Sequence, residues 1–368
     1  MKSNQRGALL LATLGSERGV ALIVTLFVVA LVTVLVVDYH FEAAVELELA
    51  ANYAADVQAY HLALAGVQVA RVLLQQDDAA VDGPHDLWYT LGQAPVCLPP
   101  EQLLAMAEQA ETALPAAEAE SGETRCLRLR IGDEAGKLPL NALVPPPTPE
   151  NAPPNADWLR IFEAFFASFG LEPEKLEALL DWLDADDVPR LAGAESSYYG
   201  GLEPPYAARN GPMHTAGELR LVRGFDAETL AKLFPGLPPQ ALADLDLDRN
   251  AYLTPYGGAG EAKVNLNTAL PEVLQALFGG LLEGMAAADE LVQEVLARRQ
   301  EASLESLGVL DPLLPDGTVR TRLRQVADVK GSYFRVEATG EVGAIRKRVV
   351  AVLKREGGAV SLVFLRVE

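Results

Sequence analysis

Several kinds of chemistry are nearly absent from this 368-residue chain. It has two cysteines, Cys97 and Cys126, too few for a cysteine zinc site or a dense disulfide framework. Its four histidines, His40, His61, His85 and His214, are scattered without metal-ligand spacing. No Ser/His/Asp arrangement with supporting context and no glycine-rich phosphate loop occurs. These gaps argue against an active site. Basic residues are also scarce, 30 Lys and Arg against 51 Asp and Glu, for a formal charge of −21. Such a balance argues against nucleic acid and anionic lipid surfaces as partners. It suits solubility, cation binding or a basic partner, and a solvated acidic surface accounts for most of these charges. Outside the cytoplasm Cys97 and Cys126 are able to form a disulfide, but the sequence does not decide whether they do.

What is abundant is apolar sequence near the start. Val20 to Val37 has no charge, and only Thr25 and Thr33 are polar. As a helix this run spans roughly 27 Å, close to the hydrocarbon thickness of a bilayer. Lys2, Arg6 and Arg18 precede it, and Asp38, Glu42, Glu46, Glu48 and Asp56 follow, with no Lys or Arg before Arg71. The positive-inside rule places the N-terminus in the cytoplasm and the remainder outside. A secretory signal peptide is cut after its apolar run; here the plausible processing site, Gly19–Val20, lies before it. Cutting there leaves the membrane anchor on the mature chain. The helical pattern continues past the membrane through Val57, Leu62, Leu64, Val67, Val69 and Leu73, in a stretch without proline. One long helix from about Val20 to Gln76 is expected.

The rest divides in three. Thr124 to Ile131 alternates like a half-buried strand, Gly132 to Gly136 reads as a turn, and Lys137 to Asn141 as a short extended piece. Residues 101–119 read as a short helix or an acidic loop. Six prolines in the stretch from Val144 to Pro154 mark a boundary. Helical patterns then cover Asp157–Phe169, Glu174–Leu183, Thr215–Val222, Ala227–Leu233, Pro271–Phe278 and Ala286–Gln300. Alternation returns in Gly331–Gly340, Ile345–Lys354 and Val360–Val367, an antiparallel meander whose last strand needs covering. Gly136–Leu143 and Ala262–Leu270 resemble each other and suggest a repeated helical module. Asn267 or Thr268 is expected to cap the helix that Pro271 opens.

One loop is conspicuously acidic. Asp181, Asp184, Asp186 and Asp187 crowd a helix C-terminus, where negative charge is unfavourable. Glu195, Glu203 and Asn210 follow in a stretch with little predicted structure. A hard cation such as Ca²⁺, which takes six to eight oxygens from an irregular loop, would relieve this crowding; a solvated acidic loop is the alternative. A second acidic run, Asp244 to Asn250, imitates an EF-hand start but has Arg249 where glycine is needed and Pro255 where the bidentate Glu is needed.

These pieces together resemble the K-type minor pseudopilins of the bacterial type II secretion system (general secretion pathway protein K). The matching residues are Arg18 to Leu22, Asp181 to Asp186, Gly193-Ala194-Glu195 with Tyr198-Tyr199, Pro204-Pro205-Tyr206 with Asn210, Glu218-Leu219, and Val264 to Thr268. They run in the same order over nearly the whole chain. Most pilin-like subunits carry Glu at the fifth mature position; here that position is Val24, and K-type subunits are known for lacking the Glu. Val24 buries no unpaired carboxylate in lipid, as a subunit with nothing above it requires.

The resemblance implies an α+β, pilin-like fold, a long N-terminal helix on an antiparallel sheet, with an inserted all-α domain of two SAM-like modules. The implied layout is a leader at 1–19, the helix at 20–76, a first pilin-like part at 77–138, the helical insert at 139–315 (modules about 139–255 and 262–315) and closing strands at 316–368. It implies a non-enzymatic subunit of the bacterial inner membrane with a periplasmic domain. Expected partners are the I-type and J-type minor pseudopilins at the pseudopilus tip, the major pseudopilin filament and the prepilin peptidase. That peptidase would cut between Gly19 and Val20, with Val20 then N-methylated; the long leader leaves a different start codon open. The resemblance further implies calcium bound by the helical domain, with Asp184, Asp186, Glu195 and Asn210 as candidate ligands and Asp187 and Glu203 behind them. The alternative function is a single-span protein whose acidic periplasmic domain binds calcium or another partner.

Overall fold

Uncharged apolar residues followed by an Ala/Leu/Glu-rich stretch leave no reason for the first helix to stop, and it does not. In a computed structural model, which describes residues 8–93, 97–98, 125–144, 154–237, 250–258, 262–282 and 285–368, α1 runs without a break from Ala8 to Gln76. Its end agrees with the expectation; its start lies upstream of Val20, inside the expected leader. The chain divides into two units, Met1–Gln58 and Ala59–Glu368. In the first, the segment beginning at Gly19 is long and apolar enough to cross a membrane. Val20 to Val37 lie exposed, Val24 included at 53%, and Thr25 and Thr33 return their hydroxyls to backbone carbonyls one turn back. In lipid such self-satisfaction is what a lone span needs.

The second unit opens with the last turns of α1. Ala63, Val67, Ala70 and Leu74 fall at helical spacing on one buried face. That face packs on a five-stranded antiparallel sheet of order β1-β2-β7-β8-β9, formed by Cys97–Leu98, Arg125–Asp133, Tyr333–Val342, Ile345–Glu356 and Ala359–Val367. Leu127, Leu129, Ile131, Phe334, Val336, Ala338, Val349, Ala351 and Leu353 supply the sheet side of this core. Each fully buried side chain of this size contributes about 1.5–3 kcal/mol. Gly340 lets the helix come close, because a Cβ there would collide with the Ala59 carbonyl. Helix α2 (Leu87–Gln93) adds Trp88, edge-on to Phe334 at 5.2 Å. Cys126 is disulfide-bonded; the chain's other cysteine, Cys97, begins β1, in register opposite Arg128 of β2. The last strand is the open edge, with Leu362, Leu365 and Val367 exposed.

Between β2 and β7 the chain leaves the sheet and builds a second core from helices. The principal ones are α3 (Ala156–Ser168), α4 (Pro173–Leu183), α5 (Ser196–Tyr199), α6 (Ala227–Leu233), α7 (Pro271–Leu281), α8 (Met285–Glu301) and α9 (Gly317–Val326). Trp158, Ile161, Phe162, Phe165 and Phe166 form the expected wide buried face of α3. Thr215–Val222 forms a 3₁₀ segment, Ala216–Leu221, rather than an α-helix. Residues 316–326, expected to begin the closing strands, form α9 instead: Asp316 caps it through Thr318 and Val319, and Val319, Leu323 and Val326 are buried at helical spacing. The residues 101–119, most of the proline boundary and the run before Asn250 lie outside the described residues.

The suspected repeat acquires geometry. Two short parallel pairs, β3 (Leu138–Pro139) with β4 (Leu253–Thr254) and β5 (Val264–Asn265) with β6 (Ala327–Asp328), occupy equivalent places. After each first strand comes a buried Asn that ties loops together. Asn141 donates to the Met213 and Pro255 carbonyls and accepts from Met213 N–H. Asn267 donates to the Leu304 and Val329 carbonyls and accepts from Leu304 N–H. This corrects the capping expectation: Leu270 stands at the N-cap of α7 with no side-chain cap, because Asn267 is committed elsewhere. The α+β, pilin-like fold is thus a helix-backed antiparallel sheet interrupted by a helical insert.

Candidate metal centre

The acidic loop begins where α4 ends. Pro173 opens this helix, and Leu176, Leu179, Leu180 and Leu183 bury one stripe of it. The final turn is buried on a second side as well, so Asp181 is inaccessible to solvent and Asp184, at the C-cap, nearly so. The chain then folds back over this turn. Arg190 N–H donates to Asp181 Oδ2 at 3.1 Å, and the Arg190 guanidinium donates to Asp181 Oδ1 and, at 2.5 Å, to Asp184 Oδ2. Ala192 N–H donates to Glu177 at 2.7 Å. Gly193 lies flat on the Asp181 carboxylate, where a Cβ would overlap it. Behind the loop Trp182 meets Tyr199 edge-on at 5.2 Å, Tyr199 stacks on Tyr206, and Arg223 lies over Tyr198 and donates to the Gly193 carbonyl.

Glu195 follows directly and points into this turn. It is 1% exposed, and oxygens of Asp181, Asp184 and Glu195 lie within 4.8 Å of one another. Neither Glu195 oxygen has a hydrogen-bond partner, nor has Asp184 Oδ1 or Asn210 Oδ1. Burial, then repulsion from Asp181, Asp184, Asp187 and Asp186, pushes the Glu195 carboxyl up to about 8. Burial also raises Asp184, against the bonds and charge of Arg190. An unpartnered buried carboxylate is costly, and neutralisation by a cation is one of the few remedies. Four unpartnered hard oxygens within one acidic loop form a donor set suited to calcium.

The six candidate ligands separate in the structure. Asp184 and Glu195 belong to the cluster. Asn210 joins the same loop system: its backbone is left-handed, φ 49°, and its Nδ2 donates to the Asp186 carbonyl at 2.9 Å and to Asp187 Oδ1 at 3.1 Å. Those bonds leave Oδ1 as the Asn210 atom to spare. The Asp187 carboxyl is held below its usual range by hydrogen bonds from Asn210 and Ser196. Asp186 accepts from Val188 N–H, and its charge reaches Glu195. Glu203 is exposed, and nothing among the described residues connects it to the cluster.

Sequence reasoning missed two participants. Asp181 was visible in the acidic stretch but was not counted as a candidate ligand. Arg190 was overlooked, although it is the single basic residue between Lys175 and Arg209.

A second trio, Asp77, Asp82 and Asp86, also brings carboxylates within 4.8 Å. Here Arg355 already pairs with two of the three, Asp77 at 3.3 Å and Asp82, and Asp86 accepts from Gly83 N–H.

Comparison with known proteins bears on this loop. The family described as "Type II secretion system (T2SS), protein K" matches residues 136–237, which contain every member of the acidic cluster. A type II secretion system protein K of Aeromonas hydrophila is 33% identical over 194 residues, covering 52% of this chain and 52% of that protein, about half its length. The protein K of Pseudomonas aeruginosa is 29% identical over 270 residues, covering 71% of this chain and 68% of its own. Among solved structures, one chain of the GspK-GspI-GspJ complex of enterotoxigenic Escherichia coli shares the fold, with TM-score 0.57 at 19% identity. That match covers 89% of this chain and 99% of the other.

Proposed function

This chain belongs to the protein K family of the type II secretion system, and on that premise we propose that it is a structural, non-enzymatic minor pseudopilin that forms the pseudopilus tip. The observation that carries this reading is α1, one unbroken helix whose exposed apolar part is membrane-length and whose last turns pack on the pilin-like sheet. A helix of this kind anchors a subunit before assembly and packs with its neighbours after it. The solved complex of the enterotoxigenic E. coli relative contains I- and J-type subunits, which supports the same two partners here. At the tip, this subunit would initiate the filament and limit its growth, and Val24 in place of Glu suits a position with no subunit above. The chain would be processed at Gly19–Val20 by the prepilin peptidase and sit in the inner membrane with its second unit in the periplasm.

The same reading assigns calcium to the helical part. Glu195, Asp184 and Asn210 would hold it through their unpartnered oxygens, with Asp186 and Asp187 at hand in the same loop. Calcium there would supply the positive partner that Glu195 lacks and tie the chain between Asp184 and Asn210 to the end of α4.

Co-expression of the full chain with I-type and J-type minor pseudopilins, followed by detergent extraction and affinity purification, tests the assembly role. A stoichiometric ternary complex is expected. Absence of both partners from the purified material, or a mature N-terminus at Met1 or after Val37, would remove it. A Val24→Glu chain that assembles unchanged would remove the tip argument from that residue.

A further inference from the structure

The cluster contains a cation of its own, and the oxygens divide unevenly around it. Asp181 uses both oxygens on Arg190, one on the backbone N–H and one on the guanidinium. Asp184 gives Oδ2 to the same guanidinium and leaves Oδ1 unpartnered; Glu195 leaves both. The other guanidiniums nearby are engaged. Arg223 holds the Gly193 carbonyl and the Tyr198 ring, and Arg209 holds Glu218 and the Pro212 carbonyl. The Arg190 side chain is 26% exposed, so it has a way out to water, whereas the carboxylates it bridges are 0% and 5% exposed.

We propose that Arg190 is a built-in counter-cation: in the metal-free chain it neutralises Asp181 and Asp184, and it releases Asp184 when a divalent cation enters against Glu195. The proposal rests on the calcium reading above. An arginine is suited to this place-holding. Its planar fork bonds two carboxylates at once and stays charged at any physiological pH. Its backbone N–H keeps Asp181 Oδ2 when the side chain leaves, so the loop stays anchored while the site changes occupant. Because entry of the metal then requires breaking a charge-assisted bond, the wild-type affinity is set below what the oxygens alone would give. The device would prevent collapse or repulsion of the loop before calcium arrives.

The test is calcium titration of the detergent-solubilised full chain by calorimetry and by melting temperature, for wild type, Arg190→Gln and Arg190→Lys. Arg190→Gln is expected to bind calcium about tenfold more tightly, the equivalent of one charge-assisted bond no longer broken. It should melt lower than wild type in chelator and regain most of the difference in calcium. Arg190→Lys, which keeps a point charge but loses the fork, should fall between them, and it serves if the Gln variant does not fold. Equal affinity in all three chains overturns the proposal. Weaker binding by Arg190→Gln also overturns it and makes Arg190 a positioning residue for the ligands. If wild type binds calcium and the variants differ in neither readout, the calcium reading stands and this inference falls. If no chain binds calcium, the reading itself falls and takes the inference with it.

Discussion

Two buried glutamates in the second unit make opposite use of the same side chain. Glu134, 2% exposed, lies between Lys137 at 2.7 Å and Arg335 at 2.8 Å, and it also accepts from the Thr254 hydroxyl. Burial alone would raise its pKa, but the charges of Lys137 and Arg335 with these bonds outweigh it and bring the carboxyl down to about 2. Glu195 is equally inaccessible, has no hydrogen-bond partner for either oxygen, and is raised to about 8. Both carboxylates are shut off from solvent; what separates them is that Glu134 has two cationic partners and Glu195 has none. A buried carboxylate that the fold has neutralised acts as a rivet, here joining the end of β2 to β4 and β7. One that the fold has left with like charges is incomplete without something from outside.

The largest test of this contrast is Glu134→Gln. It takes away the carboxylate that Lys137 and Arg335 share in the interior, and loss of about 3–5 kcal/mol is expected in chemical denaturation of the full chain in detergent. A loss under ~1 kcal/mol would show that the rivet is not one.

Next comes calcium itself. At a free concentration about a hundred times its dissociation constant, calcium should stabilise the chain by about 2.7 kcal/mol, and chelator should remove that gain. The same Gln substitution at Glu195 should act with the opposite sign to Glu134→Gln. Above about pH 8, where the Glu195 carboxyl is ionised, it removes a buried unpartnered charge, so the metal-free chain should gain about 1–3 kcal/mol there while the calcium response disappears. If both Gln variants shift stability in the same direction, the comparison is broken.

A subtler case lies between the two. Asp82 is fully buried and paired with Arg355, yet burial and the charge of Asp133 push it up to about 7 against the bonds from Gly331 and Arg355. The folded chain therefore holds this proton more tightly than the unfolded chain. Its contribution is fully present below about pH 4 and is lost as pH rises through about 7. Melting curves between pH 5 and pH 8 should show wild type losing more stability with rising pH than Asp82→Asn; parallel profiles would count against it. The smallest effect is expected on the surface. Arg128 and Glu341 pair at 2.9 Å with Arg128 open to solvent, which screens the pair, and Arg128→Ala should cost far less than Glu134→Gln. A cost near that of Glu134→Gln would mean that burial does not control the strength of these pairs.

Much of the architecture could be read locally. Strands β7 and β9 alternate in burial much as expected, whereas the middle of β8, Val349 to Leu353, is buried on both faces rather than one; Ile345 and Val367 bound the last two strands as expected. Gly343 takes a left-handed backbone, φ 57°, at the turn between β7 and β8. The helix Ala227–Leu233 and the buried face of α3 followed from period alone. Helix α9 did not. Its three buried apolar residues are separated by Thr and Arg, and a sparse stripe beside true strands reads as more strand. Asn267 looked like a cap because caps are local; its actual partners, Leu304 and Val329, are 37 and 62 residues away. In the acidic loop the carboxylates were legible as a group, with Glu203 ranked behind Glu195, but only the fold shows that one is exposed and the other buried.

By itself the sequence determined the membrane-length run, the helix that continues from it, the alternation of the sheet and the acidity of one loop. All four are properties of composition and short-range period, which depend on neighbours along the chain. Only the tertiary structure decided which carboxylate meets which cation. Glu134 reaches Thr254 and Arg335 across 120 and 201 residues, and Arg190 folds back onto Asp181 and Asp184 rather than onto Glu195. Coulomb energy and burial depend on separation in space, and a chain records that separation only after it has folded.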